Sequence, residues 1–184
     1  MWQITTLQIV VNMDRLEEEG QQAFQGADSV FCALGTTRPT AGSAVAFRKV
    51  DLDYVEATAK AAKAAGAPHF SLVSAQGANP RIWASDLKIL HPLLYTKTKG
   101  QAEEFVKSQA FTYATIARPG LLERGEAARG VEKVFAKLVS SVPVAQVARA
   151  LVGDAQAFHA AGAAGAAGAV KVYEMKELQA YGKQ

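Results

Sequence analysis

Asp28-Ser-Val-Phe-Cys-Ala-Leu-Gly35 is a short apolar run ending in a glycine, and the polar loop Thr36-Thr-Arg-Pro-Thr-Ala-Gly-Ser43 leads from it into an alanine-rich stretch, 44–65. That stretch stops at Gly66-Ala-Pro68, where a glycine suits a helix end and a proline cannot continue it. The pattern predicts a strand followed by a helix. Downstream it recurs as a strand from His69 to Ser74, a polar loop holding Gly77, Asn79 and Pro80, a helix over 92–108, and a strand over 111–117 closed by Arg118-Pro119-Gly120. Upstream, the β-branched run Leu7-Gln-Ile-Val-Val11 predicts a strand, and Arg15 to Phe24, acidic at its start and followed by Gly26, predicts a helix. Strands alternating with helices imply an α/β fold, a doubly wound parallel sheet covered on both faces.

Composition supports one soluble globular domain over 1–184. At 49% hydrophobic and 20% charged residues the chain can bury a sizeable core, which excludes disordered and collagen-like classes. No run approaches about 20 apolar residues, and the N-terminus lacks the basic-then-apolar pattern of a secretory signal, so a cytoplasmic protein without an integral membrane segment is expected; organelle association stays open. The single cysteine, Cys32, cannot form an internal disulfide and lies in an apolar run, as a buried inert thiol would. A net charge of +3 with basic residues scattered among acids argues against nucleic-acid binding. Beyond Gly120, helices are expected near 131–139 and over 144–158, with Pro143 near the first turn of the second. The alanine-glycine tract 159–169 reads as a loose connection, 170–174 as a final edge strand, and the remainder as a short helical tail.

The chemistry centres on Tyr95-Thr-Lys-Thr-Lys99. A spacing of four places the phenol and the ammonium on one helix face, and Ser74, at the end of its strand, brings a hydroxyl toward the same edge of the sheet. In a ketone reduction the developing alkoxide needs a proton. A phenol, with an ordinary pKa of about 10, supplies it readily when a nearby cation stabilises the phenolate, and Lys99 is placed to be that cation.

The segments FCALGTTR, HFSLVSAQGA, YTKTKGQAEEFV and TYATIARPGLL follow one another as in the second half of a short-chain dehydrogenase/reductase domain. The chain resembles the atypical, TIP30-like group of that family from about Leu7 to its C-terminus. The resemblance implies a Rossmann-like NAD(P)-binding fold, NADP or alternatively NAD as cofactor, and a small-molecule carbonyl or alcohol substrate. It further implies that Lys99 bonds the nicotinamide ribose, Ser74 holds the substrate oxygen and Tyr95 delivers the proton. Leu34, Gly35 and Thr36 match the place where the family's chain passes beside the cofactor's adenosine and ribose; Pro119 and Gly120 match the loop facing the nicotinamide carboxamide. Asn12 and Met13 match the adenine-contacting position, with Asn12 where the group carries an acid. The group often has a second serine after the first, and here Ala75 stands in that place.

One family element is absent. No glycine-rich strand-to-helix turn, whose backbone N–H groups would receive a pyrophosphate, precedes Leu7, so the resemblance begins at the family's third strand and describes an N-terminally truncated domain. Poor or lost dinucleotide affinity follows. Loss of a central strand would also leave a hydrogen-bonding edge on the strand ending at Gly35. One remedy is for Leu7–Val11 to fill the place through a right-handed crossover; the alternatives are a shortened polypeptide or a partner chain over the edge. An insertion at Arg81–Lys88 carries Trp83, which reads either as a lid or as a ring packed on the domain's own surface. Three functional readings follow: an NADP-dependent oxidoreductase, a non-catalytic regulatory protein of the same fold acting through protein partners, and an incomplete polypeptide without independent activity.

Overall fold

A computed structural model describes residues 6–84, 91–123, 141–162 and 168–181. Its sheet consists of β1 (Ser29–Cys32), β2 (His69–Val73), β3 (Tyr113–Ala117) and, last in the chain, β6 (Ala169–Tyr173). They lie in the order β1-β2-β3-β6 and every pair is parallel, as the alternation of strands and helices requires. A second parallel pair, β4 (Leu121–Glu123) with β5 (Ser141–Pro143), was not legible in the sequence.

Preceding β1 are two short helices, α1 (Leu16–Glu19) and α2 (Gln21–Phe24). The single helix expected over 15–24 is broken at Gly20, where a Cβ would meet the Leu16 carbonyl and side chain at 2.5 Å. Between β1 and β2 run α3 (Arg38–Ala41), α4 (Ala44–Arg48), a π-helical turn (Lys49–Asp53) and α5 (Tyr54–Ala64). Thr37 and Ser43 each cap a helix start by accepting the amide of the residue three positions on. The helix α6 (His91–Ser108) connects β2 to β3, and α7 (Val144–Ala161) precedes β6. Pro143 is the N-cap of α7. A final helix, α8 (Met175–Ala180), opens with a reciprocal capping box between Glu174 and Glu177.

The strands alternate their faces. Val30, Cys32, Phe70, Leu72, Ala114 and Ile116 join Val55 and Ala59 of α5 and Ala102 and Val106 of α6 in one apolar core, and Cys32, 3% exposed, is part of it as expected. Burial pushes the Cys32 thiol pKa up, so it is a core group and not a nucleophile. The intervening residues face α7, which also packs with α8 around Val142, Leu151, Tyr173 and Leu178. Gly153 lets the tail approach α7, since a Cβ there would lie 2.0 Å from the Tyr181 hydroxyl.

Two expectations are corrected. Leu7–Val11 forms no strand, and Leu7, Ile9 and Val10 are exposed. Nor does it fill the place beside β1, which is the outermost strand of the sheet among the described residues. The chain that follows explains why: Leu16 is buried where α1 docks on α5, and Asp14 pairs with Lys49 and accepts from the Tyr54 hydroxyl. These contacts tie the end of the segment to the start of α5, and a β-branched run without a neighbouring strand has no ladder to join. The helix expected at 131–139 lies outside the described residues.

Candidate functional site

Parallel strands bring their carboxyl ends to one edge, where the loops after β1, β2 and β3 enclose a cavity of about 440 Å³. Ser74, Tyr95 and Lys99 line it together with Leu34, Gly35, Thr36 and Gly120, and Asp51, Thr37, Thr40, Leu121 and Leu122 also form part of the wall. Pro119 is not among the lining residues, although its carbonyl accepts the Gln76 amide at 2.8 Å and so joins the loops after β2 and β3. Asn12 and Met13 stand apart: Asn12 caps the 3-10 turn Met13–Arg15 by accepting the Asp14 amide, and neither residue lines the cavity.

Lys99 is 4% exposed and lies 2.9 Å from Asp51 Oδ1, an ion pair by distance though outside hydrogen-bond alignment. Its ammonium donates to the Leu34 carbonyl at 3.3 Å, while Asp51 Oδ2 accepts the Thr36 amide at 2.7 Å. The pair thus clamps the Leu34–Gly35–Thr36 loop from both sides. Gly35 is needed there, because a Cβ would stand 3.3 Å from Asp51 Oδ1 and 3.4 Å from Lys99 Nζ. Gly100, next to Lys99, is needed more strictly: a Cβ would meet the Asn79–Pro80 backbone at 2.3–2.4 Å, and this contact seats the loop after β2 on α6.

Tyr95 departs from the simple picture of a cation-assisted phenol. Lys99 Nζ stands 6.0 Å from the Tyr95 ring centroid, and its charge is spent on Asp51. Burial and the Asp51 carboxylate push the Tyr95 pKa up to about 12. Ser74, 4% exposed, donates its hydroxyl to Glu103 Oε1 at 2.5 Å. Glu103 is compensated in turn by Arg118, which donates to both carboxylate oxygens at 2.9 and 2.5 Å and reaches Glu174 at 2.7 Å.

Asp51, Glu103 and Arg118 were not picked out from the sequence. Glu103 was legible in principle, since Tyr95, Lys99 and Glu103 recur every four residues on one face of α6. Asp51 carried no such signal, since it is one of several charged residues, with Arg48, Lys49, Asp53 and Glu56, in its helical stretch. Trp83 is 70% exposed, and half of the insertion around it, 85–88, lies outside the described residues.

Residues 4–157 match the family described as NAD(P)H-binding, and the chain belongs to that family. It is 39% identical to Protein HTATIP2 of Rattus norvegicus over 158 residues, 80% of this chain and 61% of the relative. It is 44% identical over 96 residues to Protein FMP52, mitochondrial, of Lodderomyces elongisporus, covering 51% and 37% of the two chains. The chain therefore spans less than two thirds of these relatives' length. In fold it resembles the oxidoreductase ylbE from Lactococcus lactis, with a TM-score of 0.63 at 20% identity over 94% of this chain and 75% of that one. MoeE5 in complex with UDP-glucose and NAD gives 0.63 at 14% identity over 90% and 61%. At such identities the likeness carries the Rossmann-like fold alone.

The lining suits the nucleoside end of a nicotinamide dinucleotide. The Lys99 ammonium and Asp51 carboxylate set a donor and an acceptor side by side, as adjacent ribose hydroxyls require, and Gly35 leaves room beside them. Among the described lining residues there is no glycine-rich strand-to-helix turn to cradle a pyrophosphate. No helix among the described residues is long and apolar enough to cross a membrane.

Proposed function

We infer that this protein binds NADP, or alternatively NAD, and reduces a small carbonyl compound in the cavity at the carboxyl ends of β1, β2 and β3. The observation that carries the reading is the meeting of Tyr95, Lys99, Ser74 and the Gly35 passage in one cavity. The nicotinamide group, when bound, supplies the hydride. Lys99 and Asp51 hold and orient the ribose, while Leu121 and Leu122 give the substrate an apolar wall. With its pKa near 12, Tyr95 is protonated at neutral pH, which suits donation to a developing alkoxide better than removal of a proton from an alcohol. The Ser74 proton is committed to Glu103, so Ser74 acts by placing the substrate and Tyr95 as the proton source. Tyr95→Phe is expected to lower NADPH-dependent reduction of a carbonyl panel at least about a hundredfold while leaving NADPH affinity nearly unchanged. Equal turnover by the variant would remove Tyr95 from the chemistry.

A second reading has its own support. The Lys99–Asp51 pair and the Ser74–Glu103 bond engage Lys99 and Ser74 with protein partners, as in a protein that binds the cofactor and acts through partner proteins without turnover. Cofactor binding with no reduction of any carbonyl in the panel would favour it. The mitochondrial label of FMP52 makes organelle association the first localisation to test.

A further inference from the structure

The sheet face opposite α5 and α6 holds a second set of chemistry-bearing groups, remote from the cavity. Asp154 of α7 is 4% exposed and accepts from Thr115 at 2.6 Å, Lys171 at 2.7 Å and Tyr173 at 2.9 Å. Burial alone would push its carboxyl up, but the hydrogen bonds from Lys171, Thr115 and Tyr173 outweigh it and hold the carboxyl below its ordinary value, so Asp154 is an acceptor. Thr115 has one proton and gives it to Asp154, so Thr115 Oγ1 must accept at its 3.0 Å contact with His69 Nε2. His69 therefore carries its proton on Nε2 and offers the Nδ1 lone pair to the Ser29 hydroxyl, 2.9 Å away. Ser29 Oγ in turn accepts from His159 Nε2 at 2.9 Å. Donor counting gives one ordered direction from His159 through Ser29, His69 and Thr115 to Asp154.

We propose that Ser29 is a nucleophile toward small activated carboxylic esters, with His69 as its base, Thr115 and Asp154 holding the base, and His159 donating to the developing oxyanion. Ser29 is half-buried, His159 is exposed, and Phe31 beside them is 46% exposed, so a small ester can reach the hydroxyl while His69 stays dry. In the reaction Ser29 Oγ bonds to the acyl carbon, the carbon–oxygen bond to the leaving aryloxide breaks, and the Ser29 proton passes to His69 Nδ1 and then to the aryloxide. The products are acyl-Ser29 and the phenol. His69 is kept unprotonated by burial, with its pKa near 4, so its lone pair is available across the neutral range.

The test is incubation of the full chain with p-nitrophenyl acetate, following p-nitrophenolate release and locating the acetyl group by peptide mass mapping. The expected result is one acetyl group on Ser29 and release about tenfold faster than from Ser29→Ala, with His159→Gln intermediate. Ser29→Cys should restore acylation, now on the thiol, and Lys107→Ala, in the surface pair with Glu104 on α6, should change nothing. Acetyl groups confined to lysines or histidines, or equal rates in the wild-type protein and Ser29→Ala, would overturn the proposal. Because the assay contains no nicotinamide cofactor, either outcome leaves the cavity's cofactor reading untouched.

Discussion

Against α5 and α6 the sheet presents Val30, Cys32, Phe70, Leu72, Ala114 and Ile116, whereas against α7 it presents His69, Ser71, Tyr113 and Thr115. Both faces are buried by helices, but they are held differently. The first is stabilised by apolar area, which tolerates any set of side chains of the right volume. The second depends on every donor finding an acceptor, so its residues are fixed by number and direction. The cavity stands at the carboxyl end of both, where Ser74 follows β2 and Gly120 follows β3.

The largest expected effect tests the apolar face. Phe70 is fully buried and stacks on Phe111 at 5.0 Å, so Phe70→Ala should cost roughly 4 kcal/mol of unfolding free energy in urea. A loss well under half of that would mean that the first face is not the main core. On the polar face, Asp154→Ala strips the acceptor from Thr115, Lys171 and Tyr173 and should cost about 3 kcal/mol. A near-neutral result would show that this network does not hold α7.

The polar face should also respond to acid, and the apolar face should not. His69 has its pKa lowered from 6.5 to about 4 by burial, so between those values the unfolded state binds the extra proton. Its contribution is therefore full above about pH 6.5 and is lost as pH falls toward 4, up to about 3 kcal/mol in all. Comparing unfolding free energies of the wild-type protein and His69→Gln across that window should show a shallower slope in the variant. A smaller change is expected at the cavity: Asp51→Asn should lower the Tyr95 pKa from about 12 without restoring the ordinary value, because burial is the larger cause. An ultraviolet tyrosinate titration, with Tyr95→Phe to assign the signal, measures it. The smallest effect belongs to the exposed Glu104–Lys107 pair, where Lys107→Ala should cost no more than about 0.5 kcal/mol.

How much was legible follows the same division. Strands β1, β2, β3 and β6 and helices α5, α6 and α7 announce themselves through apolar periodicity and glycine or proline stops, because burial against one neighbour is a local pattern. Leu7–Val11 shows the limit: its β-branched residues read as a strand, yet a strand requires a neighbour, and the contacts of Asp14 and Leu16 direct the chain elsewhere. Tyr95, Lys99 and Ser74 were legible from spacing and from the end of a strand. Their partners were harder to see, since Asp51 lies 48 residues from Lys99 in sequence and Glu103 lies 29 from Ser74. The polar face was hidden for the same reason. A histidine opening an apolar run reveals nothing of the serine, threonine and aspartate that topology brings to it.

Calorimetric titration of NADPH into the full 184-residue chain, with the Tyr95→Phe, Lys99→Ala double variant alongside, tests the central claim most directly. Micromolar binding by the wild-type chain, at least tenfold weaker in the double variant, is the predicted result. No binding heat from a protein that unfolds cooperatively would contradict it and remove the cavity from cofactor chemistry.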